Sequence, residues 1–224
     1  MSFGDKKLSE IAVSVPGSTS LLRKYDLDFC CGGSDTLANA AAEKGLNLAE
    51  IETRLTELQN SKAENPEEYW VNATYPEIID HILVHYHQRH REQLQELIVL
   101  ADRVESVHGD REDCPMGVAA ELRNVYEDLS NHMMKEEHVL FPMIKAGNYM
   151  MAQMPIRMME MEHAEHGEHL EVLKSLTNNM TPPADACNTW LALYSGIQEF
   201  IDDLMMHIHR ENNILFPRVM AENH

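Results

Sequence analysis

The sequence predicts an all-α protein, an up-down four-helix bundle preceded by a small helical N-terminal domain. Two long stretches beyond about residue 75 repeat one another at an offset of 75 to 76 residues, and the pattern of each predicts a pair of helices. Apolar residues in these stretches recur at the three- and four-residue spacing of an amphipathic helix. No stretch alternates apolar and polar residues as a half-buried strand does, so no sheet is expected.

The first part of the chain is rich in turn signals and predicts short helices in a domain of residues 1–58. Cys30-Cys31-Gly32-Gly33 forms a turn within it. Gly45 is placed to end one helix in the left-handed conformation, and Asn47 is placed to cap the start of the next. The polar, aperiodic stretch that follows predicts a linker over residues 59–74.

Four long helical patterns make up the predicted bundle of residues 75–224. A helix of about 28 residues is ~42 Å long, which suits an up-down bundle with short loops. Pro142 falls inside the second pattern, where a proline kinks or ends a helix, and Pro217 repeats it in the fourth. The patterns cover approximately residues 76–107, 117–146, 153–178 and 184–220.

The composition excludes two classes of partner. A net charge of −19 repels nucleic acid and anionic lipid and attracts cations. No apolar run approaches the ~20 residues of a membrane span, and the N-terminus lacks the apolar core of a signal peptide. We therefore expect a cytoplasmic protein with no nucleic-acid or membrane partner, whose four cysteines are reduced thiols.

Two segments of the predicted bundle carry the same pair of metal-binding side chains. In each, a histidine and a glutamate are spaced i, i+4 on one helix face, and a Leu-Phe-Pro sequence follows. Imidazole nitrogen and carboxylate oxygen together suit iron, manganese or zinc. The pairs are His132 with Glu136 and His207 with Glu211, and matched His-x-x-His motifs begin upstream at His87 and His163.

These donors predict a dinuclear metal centre of the kind that helical bundles build from facing side chains. Two bridging glutamates, two imidazoles on each metal and an oxo or hydroxo bridge leave an open position on each ion. Two non-haem irons are therefore the expected occupants. Spacing alone does not decide whether the first and third helices use His87 and His163 or their matched neighbours, His90 and His166. With the first member of each matched pair, the ligand set is His87, His132, Glu136, His163, His207 and Glu211.

Other polar residues are candidates for supporting roles. Asp128 and Asp203 each precede a predicted ligand by one turn, where a carboxylate can accept the second N–H of an imidazole or simply be solvated. Glu160 and Glu162 are candidates for further carboxylates near the metals. We expect five histidines to lie off the ligand stripe as solvated or packed residues, namely His81, His85, His138, His169 and His209.

Cys30 and Cys31 are the second chemical feature of the sequence. Adjacent cysteines form only a strained disulfide, so a structural bridge is not expected. Thiolates beside two glycines could bind a soft metal ion or exchange with a partner's disulfide, and a nearby helix N-terminus could lower a thiol pKa. The alternative is a pair of unreactive small residues, and Cys114 and Cys187 are expected to be packing residues.

Together these motifs resemble those of a known family. The repeated His-x-x-x-Glu segments resemble hemerythrin-type cation-binding bundles. The segment from Lys24 to Gly33 resembles the small domain of the repair-of-iron-centres proteins, the YtfE/ScdA/DnrN family. The resemblance implies a di-iron protein of the bacterial cytoplasm that restores iron–sulfur clusters damaged by nitric oxide and peroxide. It favours His87 and His163 over His90 and His166 as ligands, beside His132, Glu136, His207 and Glu211.

Several functions remain open. The leading hypothesis is donation of labile iron to damaged or apo iron–sulfur proteins, with Cys30 and Cys31 as candidates for iron transfer. The alternatives are an enzyme that reduces nitric oxide to nitrous oxide at the di-iron site and a sensor of oxygen or redox state. Four histidines make reversible oxygen carriage less expected than in hemerythrins with five. Nitric oxide, oxygen and peroxide are the expected small-molecule partners, and a homodimer is left open.

Overall fold

The computed structural model describes residues 2–61 and 64–222, and over these residues it is helical with no strand, as the sequence predicts. Lys7 and Thr36 form one isolated antiparallel bridge. The chain divides into two compact units, one of Met1–Ile78 with Met206–His224 and the other of Ile79–Met205. The helices are α1 (Leu8–Ser14), α2 (Ser18–Lys24), α3 (Leu37–Glu43), α4 (Leu48–Asn60), α5 (Pro66–Asn72), α6 (Tyr75–Ile82), α7 (Gln88–His108), α8 (Val118–Lys135), α9 (Phe141–Lys145), α10 (Tyr149–Leu176), α11 (Asn188–Arg210) and α12 (Phe216–Ala221).

The short helices of the first unit form around a small apolar core, because each presents a few aliphatic side chains on one face. The predicted helix ends are observed. The Asn47 side chain accepts a hydrogen bond from the Glu50 N–H at the start of α4, and Gly45 adopts a φ of 63° before it. Fully buried side chains of this unit include Leu8, Ile11, Leu22, Leu27, Phe29, Leu37, Ile51 and Leu55.

The predicted linker of residues 59–74 contains a helix that the sequence analysis did not identify. Asn65 caps α5 by accepting a hydrogen bond from the Glu67 N–H at 3.2 Å, and Pro66 occupies its first turn. A proline is tolerated there because the first N–H groups of a helix lack intrahelical partners. Positions 62 and 63 of the predicted linker lie outside the described residues.

Met206–His224 belong to the first unit. The sequence analysis, with its boundaries of 1–58, 59–74 and 75–224, assigned this segment to the bundle. The Arg210 guanidinium pairs with the Glu67 carboxylate and lies 4.7 Å from the centre of the Trp70 ring. His209 Nε2 lies 3.4 Å from the same carboxylate. All three polar groups are buried, and burial lowers the pKa of His209, so the charges of Arg210 and Glu67 depend on each other for compensation.

The second unit contains most of the four-helix bundle, with α8 packed between α7 and α10. Ion pairs show that neighbouring helices run in opposite directions. Arg123 near the start of α8 pairs with Asp102 near the end of α7, and His169 near the end of α10 pairs with Glu121 near the start of α8. Among the described residues, none of the helices is long and apolar enough to cross a bilayer.

Three of the four bundle helices contain a π turn that the sequence analysis missed. These turns cover Leu83–His87, Glu136–Leu140 and Glu211–Leu215. Of the two effects expected of Pro142, it does not end the second helix, because α9 continues from the π turn through Lys145. A π turn widens the helix by one residue and so relieves the clash between a proline ring and the carbonyl one turn earlier.

Replacement of Glu67 by Ala should destabilise the first unit strongly. It removes the carboxylate that compensates buried Arg210, and an uncompensated buried charge costs about 3–5 kcal/mol. The free energy of unfolding measured in urea should fall by this amount. Glu68→Ala is the matched control because Glu68 is the exposed neighbour on the same helix, and an equal loss in both variants would contradict the role of the buried pair.

Candidate metal centre

Four of the predicted ligands lie together in the interior of the second unit. His87, His132, Glu136 and His163 are fully or almost fully buried. Glu136 Oε2 lies 3.3 Å from His87 Nε2 and 3.5 Å from His132 Nε2. His163 Nε2 lies 3.0 Å from His132 Nε2. Three imidazoles thus direct their Nε2 atoms towards the region occupied by one carboxylate.

The remaining two predicted ligands form a pair within the first unit. His207 and Glu211 are both fully buried, and His207 Nε2 lies 3.3 Å from Glu211 Oε1. Their i, i+4 spacing places them on one helix face, as it places His132 and Glu136 on a face of α8 and the π turn that follows. The sequence repeat is therefore preserved as a structural repeat.

The π turns coincide with the predicted ligands. His87 is the last residue of the first π turn, whereas Glu136 and Glu211 are the first residues of the other two. Single π turns inside α-helices are frequently found at functional sites. Helical periodicity does not distinguish a π turn from an α turn. The Leu-Phe-Pro sequence that recurs at the end of two of the π turns is a local signal that could have indicated them.

Glu137 supports His87 and was missed by the sequence analysis. It accepts a hydrogen bond from His87 Nδ1 at 2.8 Å and a second from Arg91 at 2.7 Å. The contacts with His87 and Arg91 lower the pKa of Glu137 to about 2 despite its partial burial. A carboxylate on Nδ1 keeps the proton there and leaves the Nε2 lone pair for a metal.

Glu162 supports His132 in the same way. Its carboxylate accepts from His132 Nδ1 at 2.9 Å and also pairs with Lys135. These two contacts lower the pKa of Glu162 to about 2, with the His132 hydrogen bond as the larger cause. Glu162, a candidate further carboxylate near the metals, therefore lies on the outer nitrogen of a predicted ligand, whereas Glu160 is on the exposed side of α10.

Asp128 and Asp203 have other partners than the predicted ligands one turn away. Asp128 accepts a hydrogen bond from His169 Nε2 at 3.1 Å, and Asp203 accepts from Arg89 and Gln93. The i, i+4 spacing placed these aspartates beside the histidines along the helix, but side chains of neighbouring helices reach them. A spacing argument on one helix cannot include such contacts.

The two matched neighbours of the predicted ligands are buried but lie differently. His90 Nδ1 is 3.3 Å from Gln93 Oε1, and its ring meets the Phe200 ring edge-on at 5.5 Å. His166 meets the His132 ring edge-on at 4.9 Å. Of the first matched pair, His87 and not His90 makes the 3.3 Å contact with the Glu136 carboxylate. Of the histidines expected off the ligand stripe, His138 is exposed and His209 is packed against Glu67 and Phe29.

The donor set suits a cation. Both carboxylate oxygens of Glu136 are buried, and neither accepts a hydrogen bond from the part of the chain that the structure describes. Burying an ionised carboxylate is costly unless a counter-charge compensates it. Imidazole with carboxylate is a donor set for iron, manganese or zinc and not for magnesium or calcium, which take oxygen ligands.

Cys30 and Cys31 lie in a tight turn of the first unit, as predicted. Their Sγ atoms are 3.7 Å apart, and Cys30 is buried whereas Cys31 is partly exposed. Asp28 accepts hydrogen bonds from the N–H groups of Cys30 and Cys31 at 3.0 and 2.9 Å. A Cβ at Gly33 would lie 2.5 Å from the Phe29 carbonyl oxygen, so only glycine fits there.

The comparisons with known proteins agree with this arrangement. Residues 78–219 match the family profile of the Hemerythrin HHE cation binding domain, and residues 4–59 match a domain of unknown function named ScdA_N. A probable iron-sulfur cluster repair protein of Haemophilus influenzae is 68% identical over 99% of this chain and 100% of its own length.

Two further relatives carry the name iron-sulfur cluster repair protein YtfE. The Citrobacter koseri protein is 55% identical over 99% of both chains, and the Musicola paradisiaca protein is 54% identical over 98% of both. Both domains and nearly the full length of each relative are matched. The chain therefore belongs to the YtfE family of iron–sulfur cluster repair proteins, with an N-terminal ScdA_N domain and a hemerythrin-like cation-binding domain.

Proposed function

We propose that this protein carries two non-haem irons and donates iron in the cytoplasm to iron–sulfur proteins damaged by nitrosative or oxidative stress. The iron is cargo in this proposal, and apo or damaged cluster proteins are its recipients. Two glutamates bridge the irons in this scheme, with an oxo or hydroxo bridge as a further donor. The proposed ligands are His87, His132, Glu136, His163, His207 and Glu211.

One observation carries the proposal. The Glu136 carboxylate is buried without accepting a hydrogen bond among the described residues, within 3.5 Å of the Nε2 atoms of His87 and His132. A cation at these donors offsets the cost of the buried charge. The His207 and Glu211 pair supports the two-iron stoichiometry, because it repeats the spacing and burial of His132 and Glu136.

The chain's own residues hold the donors ready for the metals. Glu137 and Glu162 fix the protons of His87 and His132 on Nδ1, and Arg91 and Lys135 hold those two carboxylates in the ionised form. Iron at such a site supplies redox chemistry and open positions for small molecules. The names of the relatives support cluster repair as the purpose of the site.

Iron donation is tested by mixing the ferrous protein anaerobically with an apo iron–sulfur protein. We expect the recipient's cluster absorption to appear while iron is lost from this protein in a matching amount. Chelator-treated protein is the control. Recovery of the cluster without iron loss would contradict donation, and sustained formation of nitrous oxide from nitric oxide over many turnovers would favour the reductase instead.

Replacing Glu136 by Ala should reduce iron content from about two ions per chain to one or none, because this carboxylate is proposed to bridge both ions. His138→Ala is the matched control, since His138 lies two residues away on the exposed side. Metal analysis after anaerobic loading measures the effect. Two magnetically coupled irons in Glu136→Ala would contradict the ligand assignment.

Glu137→Gln and Glu162→Gln should each weaken metal binding by about 10–100-fold, the usual cost of losing a carboxylate on the outer nitrogen of a ligand histidine. Competition with a chelator measures this affinity. Glu168→Gln on the exposed face of α10 removes the same charge without touching a predicted ligand and should have no effect. Equal affinities for all three variants would show that the carboxylates do not support the ligands.

A further inference from the structure

We propose that Asp28, Cys30 and Cys31 form a binding site for one thiophilic divalent cation, distinct from the histidine and glutamate ligands. One donor atom of each residue lies within 4.8 Å of the other two. The site is formed wholly by the first unit, and it contains sulfur donors that the proposed di-iron ligands lack. This second site is therefore independent of the proposed iron donation, and each can be tested without the other.

The spacing of the sulfur atoms fits a shared cation. Two thiolates that each bind one tetrahedral ion at about 2.3 Å are separated by about 3.8 Å along the edge of the tetrahedron. The Sγ atoms of Cys30 and Cys31 are 3.7 Å apart, far beyond a disulfide bond. Asp28 Oδ1 lies 3.2 Å from Cys30 Sγ and supplies a third donor on the same side of the turn.

The backbone of the turn is fixed, so the three donors need little rearrangement to bind. Asp28 accepts from the N–H groups of both cysteines and, through its second oxygen, from Gly32 at 2.8 Å. The carbonyl oxygens of Phe29 and Cys30 are held from the other side. They accept from the Asn213 and Asn212 side chains at 2.8 and 2.9 Å.

A bound cation would replace the thiol protons of the two cysteines. Cys31, burial and the Asp28 charge raise the pKa of the Cys30 thiol well above its usual value, so this thiol is protonated and points at Asp28 Oδ1. On binding, two S–H bonds break, two metal–sulfur bonds form and two protons leave to solvent. No electron is transferred. The partly exposed Cys31 leaves the bound ion accessible, which suits a site that exchanges its ion with another thiol protein.

Cobalt(II) is the probe, because its binding to thiolates produces a charge-transfer absorption that nitrogen and oxygen ligands do not. The reduced full-length chain should develop this band, and its intensity should saturate at one thiolate-bound cobalt per chain, whatever cobalt the histidine and glutamate donors also take. The apparent affinity should rise by up to about 100-fold per pH unit while both thiols are protonated, because two protons leave. Absence of the band at a cobalt concentration that saturates thiol sites would overturn the proposal, whether or not the bundle binds iron.

Variants assign the band to the cluster. Cys30→Ser with Cys31→Ser should abolish it, and Cys114→Ser with Cys187→Ser is the matched control that should retain it. Asp28→Asn keeps one oxygen for the Cys30 and Cys31 N–H groups but loses the charge and the acceptor of the Gly32 N–H, and it should weaken binding at least about tenfold. If replacing Cys30 disturbs the helical circular dichroism, Cys31→Ser is tested alone. This single change should weaken cobalt binding at least about tenfold, as Asp28→Asn does. Persistence of the band in the double cysteine variant would refute the site.

Discussion

The buried carboxylate of Glu136 is the constraint on which the second unit depends. An ionised group in an apolar interior is costly, so its surroundings must supply positive charge or a cation. Three imidazoles meet beside it, and two of them donate hydrogen bonds from Nδ1 to Glu137 and Glu162. Those carboxylates are held in turn by Arg91 and Lys135 near the surface. The charge pattern therefore extends from the interior outwards, and it explains why polar residues occupy positions that a plain bundle would fill with leucine.

The first unit also contains a buried charge, and side chains rather than a metal ion compensate it. Arg210 is buried, and Glu67, His209 and the Trp70 ring surround its charge. The next turn of the same helical segment extends Asn212 and Asn213 to the backbone of the cysteine turn. A short stretch of chain thus has two roles, because its inward residues His207 and Glu211 are candidate ligands while its other faces hold the N-terminal helices. The π turn of Glu211–Leu215 contains Glu211 and both asparagines.

Membership of the cluster-repair family gives these arrangements a common purpose. Nitrogen and oxygen donors in the bundle suit the iron of the proposed function, and the sulfur atoms of Cys30 and Cys31 suit the softer cation of the proposed second site. The strong negative charge of the chain favours cations near its surface and disfavours nucleic acid. Two donor sets of different chemistry in one chain are consistent with a protein that handles metal ions in transit.

The sequence alone determined the helical class, the four long helices and the caps at Asn47 and Gly45, because these follow from local periodicity and local backbone preference. Its internal repeat also indicated His132, Glu136, His207 and Glu211 as candidate ligands, since a repeat marks residues that share a role. The repeat left the choice between His87 with His163 and their matched neighbours open, and the family resemblance favoured His87 and His163. Glu137, the partners of Asp128 and Asp203, and the Glu67–Arg210 pair emerged only from the tertiary structure. Each of these contacts joins residues from different helices, and helical spacing carries no information about which side chain a neighbouring helix will bring. The π turns also emerged only from the structure, because helical periodicity in the sequence does not show where a helix widens by one residue.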